Sequence, residues 1–353
     1  VVQAGIPADG FEKVVLDDPD DLEEVYQAML QINEEVKRRF PGARKAISYT
    51  GGTKTMTAGA VLFAIRYPEW ELSFIKGPRE DLVKVTCGGT WWAVNVSGIY
   101  AQGQIEACQP LLEQYQYATV QELLRPLQMN PALPAQTKTS LQRLRQLCKA
   151  FDAWDRFDHQ EALFLLNVLG GKSGPWIKLV KDILGYLPTS NAYQPVADML
   201  LNAGRRVVQG HYDDAVARLY RSVEMLAQVR LKHVYSIDTG NLDLNKVPDD
   251  CREAYAALGY EKGRIRLPLA RSYSLLADLN DDLGLFWVKQ QNRMVNALEI
   301  RNYSIMAHGK NPIGNTQYQE YGVVLEKFIQ EGLEECVAKV TWQQLPALEL
   351  LDL

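Results

Sequence analysis

The sequence predicts an α/β N-terminal part, a helical linker region, and an all-α C-terminal part. Three observations carry this. Short β-prone runs alternate with amphipathic helical stretches over roughly the first hundred residues, the rhythm of a parallel α/β sheet. A cluster of Pro126, Asn130, Pro131 and Pro134 then marks a break. Beyond it, hydrophobic residues recur almost only at three- and four-residue spacing.

In chain order, Phe11–Leu16 reads as a strand, followed by the turn Asp17-Asp18-Pro19-Asp20. Asp21–Phe40 reads as a helix with Leu22, Val25, Met29, Ile32 and Val36 on one face, stopped by Pro41-Gly42. Lys45–Tyr49 is the next strand, 50–56 a loop, Thr57–Arg66 a helix and Glu71–Ile75 a strand. Val83–Cys87 and Trp92–Val96 are expected as edge strands. Helices are then expected over Leu141–Val168, Trp176–Leu187, Pro195–Gln209, Tyr212–Val234, Leu267–Leu285, Leu285–His308 and Tyr318–Val340. Arg221 and Glu224 form an expected i,i+3 surface pair.

Composition narrows the function. The 353 residues are 47% hydrophobic and 23% charged, with a formal net charge of −5. That excludes a surface coated in basic patches, while leaving room for one local basic cleft. Five cysteines without CxxC spacing read as reduced thiols in a cytoplasmic protein, and four scattered histidines make no zinc pattern. No apolar run is long enough to span a bilayer. A dehydrogenase is excluded by the absence of GxGxxG, and Gly171-Lys172-Ser173 is only the tail of a phosphate-binding loop motif.

Two places carry chemistry. Thr50-Gly51-Gly52-Thr53-Lys54 lies between a strand and a helix, where open α/β sheets bind ligands. Glycines let backbone N–H groups approach an anion, and Lys54 adds charge. Read alone, the pair of glycines is more simply a turn with exposed polar side chains. The second place is Arg301-Asn302-Tyr303-Ser304-Ile305-Met306-Ala307-His308-Gly309. On a helix through His308, Arg301 and His308 share the stripe of Trp287, Met294, Leu298 and Ile305, roughly 10 Å apart along the axis. Gly309 is then a C′ residue and Pro312 a stop. Two ionic groups on an apolar stripe need partners or a cleft; the economical arrangement turns that stripe toward a second subunit. Arg301 snorkelling from the stripe's edge is the plainer alternative.

The Arg301–Gly309 string resembles the long-spaced R-X4-6-H motif of HEPN (higher eukaryotes and prokaryotes nucleotide-binding) ribonucleases. Tyr49–Met56 resembles the signature loop of CARF (CRISPR-associated Rossmann-fold) domains. Both motifs, in this order, with Tyr212–Arg221 between, resemble the CARF–HEPN ancillary ribonucleases of type III CRISPR systems. The resemblance implies a Rossmann-like CARF domain over 1–125, a helical linker region over 126–195 and a HEPN domain over 196–353. It implies a homodimer that binds a cyclic oligoadenylate through Thr50, Gly51, Gly52, Thr53 and Lys54. Single-stranded RNA would be cleaved through Arg301, Asn302 and His308, without a cofactor or metal. Only ten residues precede Phe11, so the family's first strand is expected to be missing here and its ligand contacts stay unassigned. The rival readings are a non-catalytic nucleotide sensor and an enzyme that degrades the cyclic messenger itself.

Overall fold

The computed structural model describes residues 10–77, 79–80, 84–85, 89–259, 263–304, 309–336 and 338–352. The chain divides into two compact units, one of residues 1–108 with 123–142, the other of 109–122 with 143–353.

The first unit contains helices α1 (Leu22–Arg39) and α2 (Lys54–Arg66) and strands β1 (Lys45–Ser48) and β2 (Trp70–Lys76). It also holds β3 (Arg79–Glu80), β4 (Lys84–Val85), β5 (Thr90–Val94) and helix α3 (Ser97–Ala107). Asp21 caps α1 by accepting from the Glu23 and Glu24 backbone, and Lys37, Arg38 and Arg39 close its other end, complementing the helix dipole. The sheet order is β1-β2-β5: β1 runs parallel to β2 with Ile47 opposite Leu72, whereas β5 is antiparallel, with Phe74 opposite Trp92. The α/β rhythm is therefore correct for one pair of strands only; the third strand returns the other way. β4 pairs with β3 in a separate hairpin rather than edging the main sheet, and Val83, Thr86 and Cys87 of the expected edge strand lie outside the described residues.

Phe11–Leu16 is not a strand. Its apolar side chains are β-prone, yet Phe11, Val14 and Val15 are all at least half exposed. No described strand pairs with it, and β propensity without a neighbouring ladder does not make a strand. Where α1 meets α2, Gly59 is required: a Cβ there would lie 2.6 Å from Val25 Cγ1. Phe63, Ala64 and Leu72 are fully enclosed, and the buried Asn33 is satisfied by the Trp70 indole N–H at 2.8 Å.

Two helices pass from one unit into the other, α5 (Tyr117–Gln128) and α6 (Ala135–Asp155). Pro126 lies inside α5 rather than in a linker, and the loop that the prolines signalled is confined to residues 129–134.

The second unit is helical. It adds α4 (Gln109–Glu113), α7 (His159–Leu169), α8 (Gly174–Ile183), α9 (Gln194–Val208), α10 (Tyr212–Tyr235) and α11 (Arg252–Ala256). α12 (Leu269–Asp278), α13 (Asp282–Tyr303), α14 (Asn315–Gln317) and α15 (Val323–Glu335) complete it, with a π turn over Tyr318–Gly322. The core is built around α10, whose Ala215, Val216, Leu219, Val223, Leu226 and Leu231 are fully buried against α9, α12, α13 and α15. Several buried polar groups inside this unit pair with one another. Asp155 accepts from the wholly buried Arg205 at 2.6 Å, and Asp198 accepts from the Trp154 indole at 3.0 Å with His159 Nε2 at 2.9 Å. The expected Arg221–Glu224 pair is present at 2.5 Å.

Candidate functional site

α13 is placed from its N-terminus. Asp281 caps it by accepting from the Leu283 backbone N–H at 3.0 Å. The same buried carboxylate accepts from Arg230 Nε and the Tyr235 hydroxyl, both at 2.8 Å, tying α13 to α10. Gly284 lets α12 approach so closely that a Cβ would lie 2.1 Å from the Ala277 nitrogen. Tyr273 and Trp287 then stack with centroids 4.4 Å apart, and Phe328 of α15 meets Trp287 edge-on at 5.7 Å.

Along α13 the buried stripe runs Trp287, Met294, Ala297 and reaches Arg301 as the core thins. Arg301 is half-buried, and its guanidinium lies over the Tyr220 ring of α10, 4.8 Å from the centroid. A planar cation stacked on an aromatic face is attracted by the ring quadrupole and loses rotamer freedom. Among the described residues no carboxylate pairs with Arg301, so its N–H donors are not neutralised by a neighbouring acid. Asn302 is exposed beside it.

Two expectations are corrected here. The helix does not run to His308: it ends at Tyr303, and Ser304 is the C-cap with extended backbone (φ −82°, ψ 160°). The cause is local, since Ser304 donates its backbone N–H (3.2 Å) and its hydroxyl (2.8 Å) to the Arg301 carbonyl and turns the chain out of the helix. Gly309 is accordingly not a helix C′ residue; its N–H bonds the Ser304 carbonyl at 3.1 Å. Ile305, Met306, Ala307 and His308 lie outside the described residues. The second correction concerns the stripe. Trp287 and Met294 are 2% and 1% exposed inside their own unit, so that face packs against the chain's own core and is not a seam for a second subunit.

Sequence reasoning assigned no role to two residues of α10 that hold this region. Tyr220 is one. The other is Asp213, which accepts from the Ile313 backbone N–H at 3.0 Å and so pins the segment following the motif. Both lie in the Tyr212–Arg221 string. The signal was an aromatic and an acid on the rim of a helix whose other face is fully apolar.

In the α/β unit, the Thr50–Lys54 loop joins β1 to α2. Thr53 is the N-cap of α2: its hydroxyl accepts from Met56 N at 3.1 Å and donates to the Pro19 carbonyl at 2.8 Å. The helix therefore starts at Lys54, three residues before the expected Thr57. Thr50 Oγ1 accepts from Ile75 N at 2.9 Å and lies 3.1 Å from Ser48 Oγ. Both threonine hydroxyls are thus engaged in shaping the loop. Gly52 has φ +96°, which favours glycine. What the loop offers outward is the Lys54 ammonium and the backbone N–H groups of Gly51, Gly52, Lys54 and Thr55. Among the described residues none of these N–H groups has a protein acceptor, and they stand at the positive end of the α2 dipole. Among the described residues no cluster of three or more His, Cys, Asp or Glu could hold a metal ion, and no helix is long and apolar enough to cross a membrane.

An α/β unit with a polar loop at a helix start, and an all-α unit with an arginine at the end of α13, make up the α/β plus all-α fold expected from the sequence. Residues 189–332 match the family model described as the Csm6 HEPN domain. The fold matches Enterococcus italicus Csm6 bound to cyclic hexa-2′-fluoro-hexa-dAMP, with a TM-score of 0.64 and 13% identity over 96% of this chain and 80% of that one. No curated protein matches the sequence. The chain is thus similar to the Csm6 HEPN domain over residues 189–332 and to the Csm6 structure in fold.

Proposed function

We propose that this protein is a cyclic-oligoadenylate-activated, metal-independent endoribonuclease that cleaves single-stranded RNA in type III CRISPR defence. The observation that carries the reading is Arg301. Within the segment matching the Csm6 HEPN domain, a guanidinium without a carboxylate partner among the described residues is stacked on Tyr220 beside an exposed Asn302.

RNA brings its own nucleophile, the 2′-hydroxyl. Cleavage needs that oxygen aligned with phosphorus, a proton moved, and charge on the phosphate oxygens stabilised. Arg301 supplies the charge stabilisation, with donors already oriented by the ring beneath. His308 moves the proton, as base toward the 2′-hydroxyl or acid toward the leaving oxygen. Asn302 donates an amide hydrogen bond to the phosphate. One such set per chain favours a homodimer that brings two sets to one strand.

The Csm6 structure similar to this chain holds a cyclic hexa-adenylate analogue. In this chain the corresponding activator is assigned to Gly51, Gly52 and Lys54, through free N–H groups and the ammonium, with Thr50 and Thr53 shaping the loop. Activation then requires the ligand to bind the cleaving geometry more tightly than the resting one. The test is cleavage of a fluorescent single-stranded RNA by the full chain in chelator, with cyclic tetra- and hexa-adenylate in parallel. Activator-dependent cleavage that disappears in Arg301→Ala is expected. Absence of cleavage with either ring, while the chain still binds one of them, would return the protein to a non-catalytic sensor.

A further inference from the structure

The three-stranded sheet of the first unit carries an aromatic row that its core does not absorb. Residues two apart on a strand share a face, and the pairing register decides which of them stand side by side. Ile47 is opposite Leu72, and Leu72 is opposite Val94. This row is covered by α2, whose Ala64 is enclosed with Leu72 while Val61 and Ile65 pack against them. Two residues on, the same face presents Tyr49, Phe74 and Trp92. Phe74 pairs with Trp92 in the ladder, and the Tyr49 and Phe74 rings lie 5.6 Å apart. Tyr49 and Phe74 are half-buried, whereas Trp92, at the open end of the row, is 52% exposed.

A single exposed aromatic is ordinary, but this one carries a cation. Lys76, the next residue of β2 on that face, holds its ammonium 4.7 Å from the centre of the Trp92 ring. Lys76 is exposed, and among the described residues no carboxylate pairs with it. The contact is the weak, solvent-screened form of cation–π attraction, and the lysine leaves the ring without breaking an ion pair. The one acid in these three strands, Glu71, stands on the other face, where Arg44 pairs with it at 2.5 Å. The face of Trp92 is therefore aromatic and positive.

This row ends where the activator loop begins. β1 and β2 are parallel, so their carboxyl ends lie together, and α2 starts from that end on the same face. Thr50 Oγ1 accepts from Ile75 N at 2.9 Å, which sets the loop at the level between Phe74 and Lys76. β5 stands two strand spacings from β1, about 10 Å, a distance that one nucleotide spans. An indole with a cation at its rim suits a flat base followed by a phosphate.

We propose that the Trp92 ring is a stacking platform for an adenine base of the cyclic activator, with Lys76 moving from the ring to the phosphate beside that base. The inference rests on the activator reading for its ligand, and its test separates the two. Binding of cyclic tetra- and hexa-adenylate to the full chain is measured by calorimetry over a range of salt. The variants are Trp92→Ala, Trp92→Phe and Lys76→Gln, with Trp91→Ala as a control. Trp91 is equally exposed, on the opposite face of the same strand. Affinity is expected to fall about tenfold or more in Trp92→Ala, to be largely kept by the ring of Trp92→Phe, and to be unchanged in Trp91→Ala. Loss of a base stack leaves the slope of log affinity against log salt as it was, whereas Lys76→Gln flattens it. Unchanged affinity in Trp92→Ala, an equal loss in Trp91→Ala, or an unaltered slope in Lys76→Gln overturns the platform and leaves the activator reading standing. No binding of either ring by the unaltered chain removes the activator reading and the platform with it. Binding that depends on Trp92 in a chain that cleaves no RNA upholds the platform and removes the ribonuclease reading alone.

Discussion

The Arg301 guanidinium lies 4.8 Å from the centre of the Tyr220 ring. This contact joins the end of α13 to the middle of α10 and fixes the direction in which the arginine's donors point. A stacked guanidinium gains about 0.5–2 kcal/mol from the ring, depending on how dry the site is. Tyr220→Phe keeps the ring face and is expected to retain cleavage within about twofold. Tyr220→Ala is expected to lower kcat about tenfold, with the melting temperature nearly unchanged because the ring is only half-buried. Steady-state cleavage and thermal melts on the three proteins check this.

The loop before α2 places a helix-capping residue next to the proposed ligand residue. Thr53 caps the helix, so Thr53→Ala is expected to cost about 1 kcal/mol of stability in the α/β unit. Lys54 is exposed and bonded to no described group, so Lys54→Ala should leave stability unchanged. The half-maximal activator concentration should rise at least tenfold while basal cleavage persists. Unaltered activation in Lys54→Ala removes that residue from the ligand contacts.

Gly284 is expected to be intolerant of any side chain. The atoms a Cβ would meet are backbone, at 2.1 Å and 2.3 Å, and cannot swing aside as a flexible side chain does. Gly284→Ala must push α13 from α12 and disturb the Tyr273–Trp287 stack, costing about 3 kcal/mol or more. A thermal melt reading a loss of several degrees is the expected outcome, with tryptophan fluorescence reporting the stack.

Alkaline pH is expected to weaken the helical unit between about pH 10 and 12. Burial, and then the hydrogen bond to Asp281, pushes the Tyr235 hydroxyl up to about 12. Burial also pushes Tyr193 up to about 12, against the opposing pull of Arg230. Each raised phenol contributes stability that is fully present below the unfolded value near 10 and is lost as pH rises through the folded value. Denaturant melts across this window should show stability falling with pH. Tyr193→Phe and Tyr235→Phe should each flatten the slope.

Much of this was legible in the sequence, and the failures have identifiable physics. α10 was readable almost to the residue because its apolar face is buried along its whole length and nothing competes with the period. The Arg221–Glu224 pair followed from helix geometry alone. Phe11–Leu16 misled because strand-forming side chains say nothing about whether a neighbouring strand exists. The end of α13 misled because Ile305 continues the apolar period past Tyr303, while the true stop is a hydroxyl, Ser304, bonding back to the last turn. Tyr220 was invisible as a partner of Arg301 because the two are distant in sequence and meet only when α10 and α13 pack. The position of the candidate loop between strand and helix was readable, but which threonines are committed inward depended on Pro19 and Ile75, which no local pattern reveals.

That α13 stops at Tyr303 bears on how such a motif can vary among relatives. Had the helix carried both ends, each residue inserted or deleted between them would swing the second side chain by about 100° around the axis. Only a few lengths would then work. With the helix ended at Tyr303, the direction of Arg301 is set by α13 and its seat on Tyr220 alone, whatever number of residues follows Ser304.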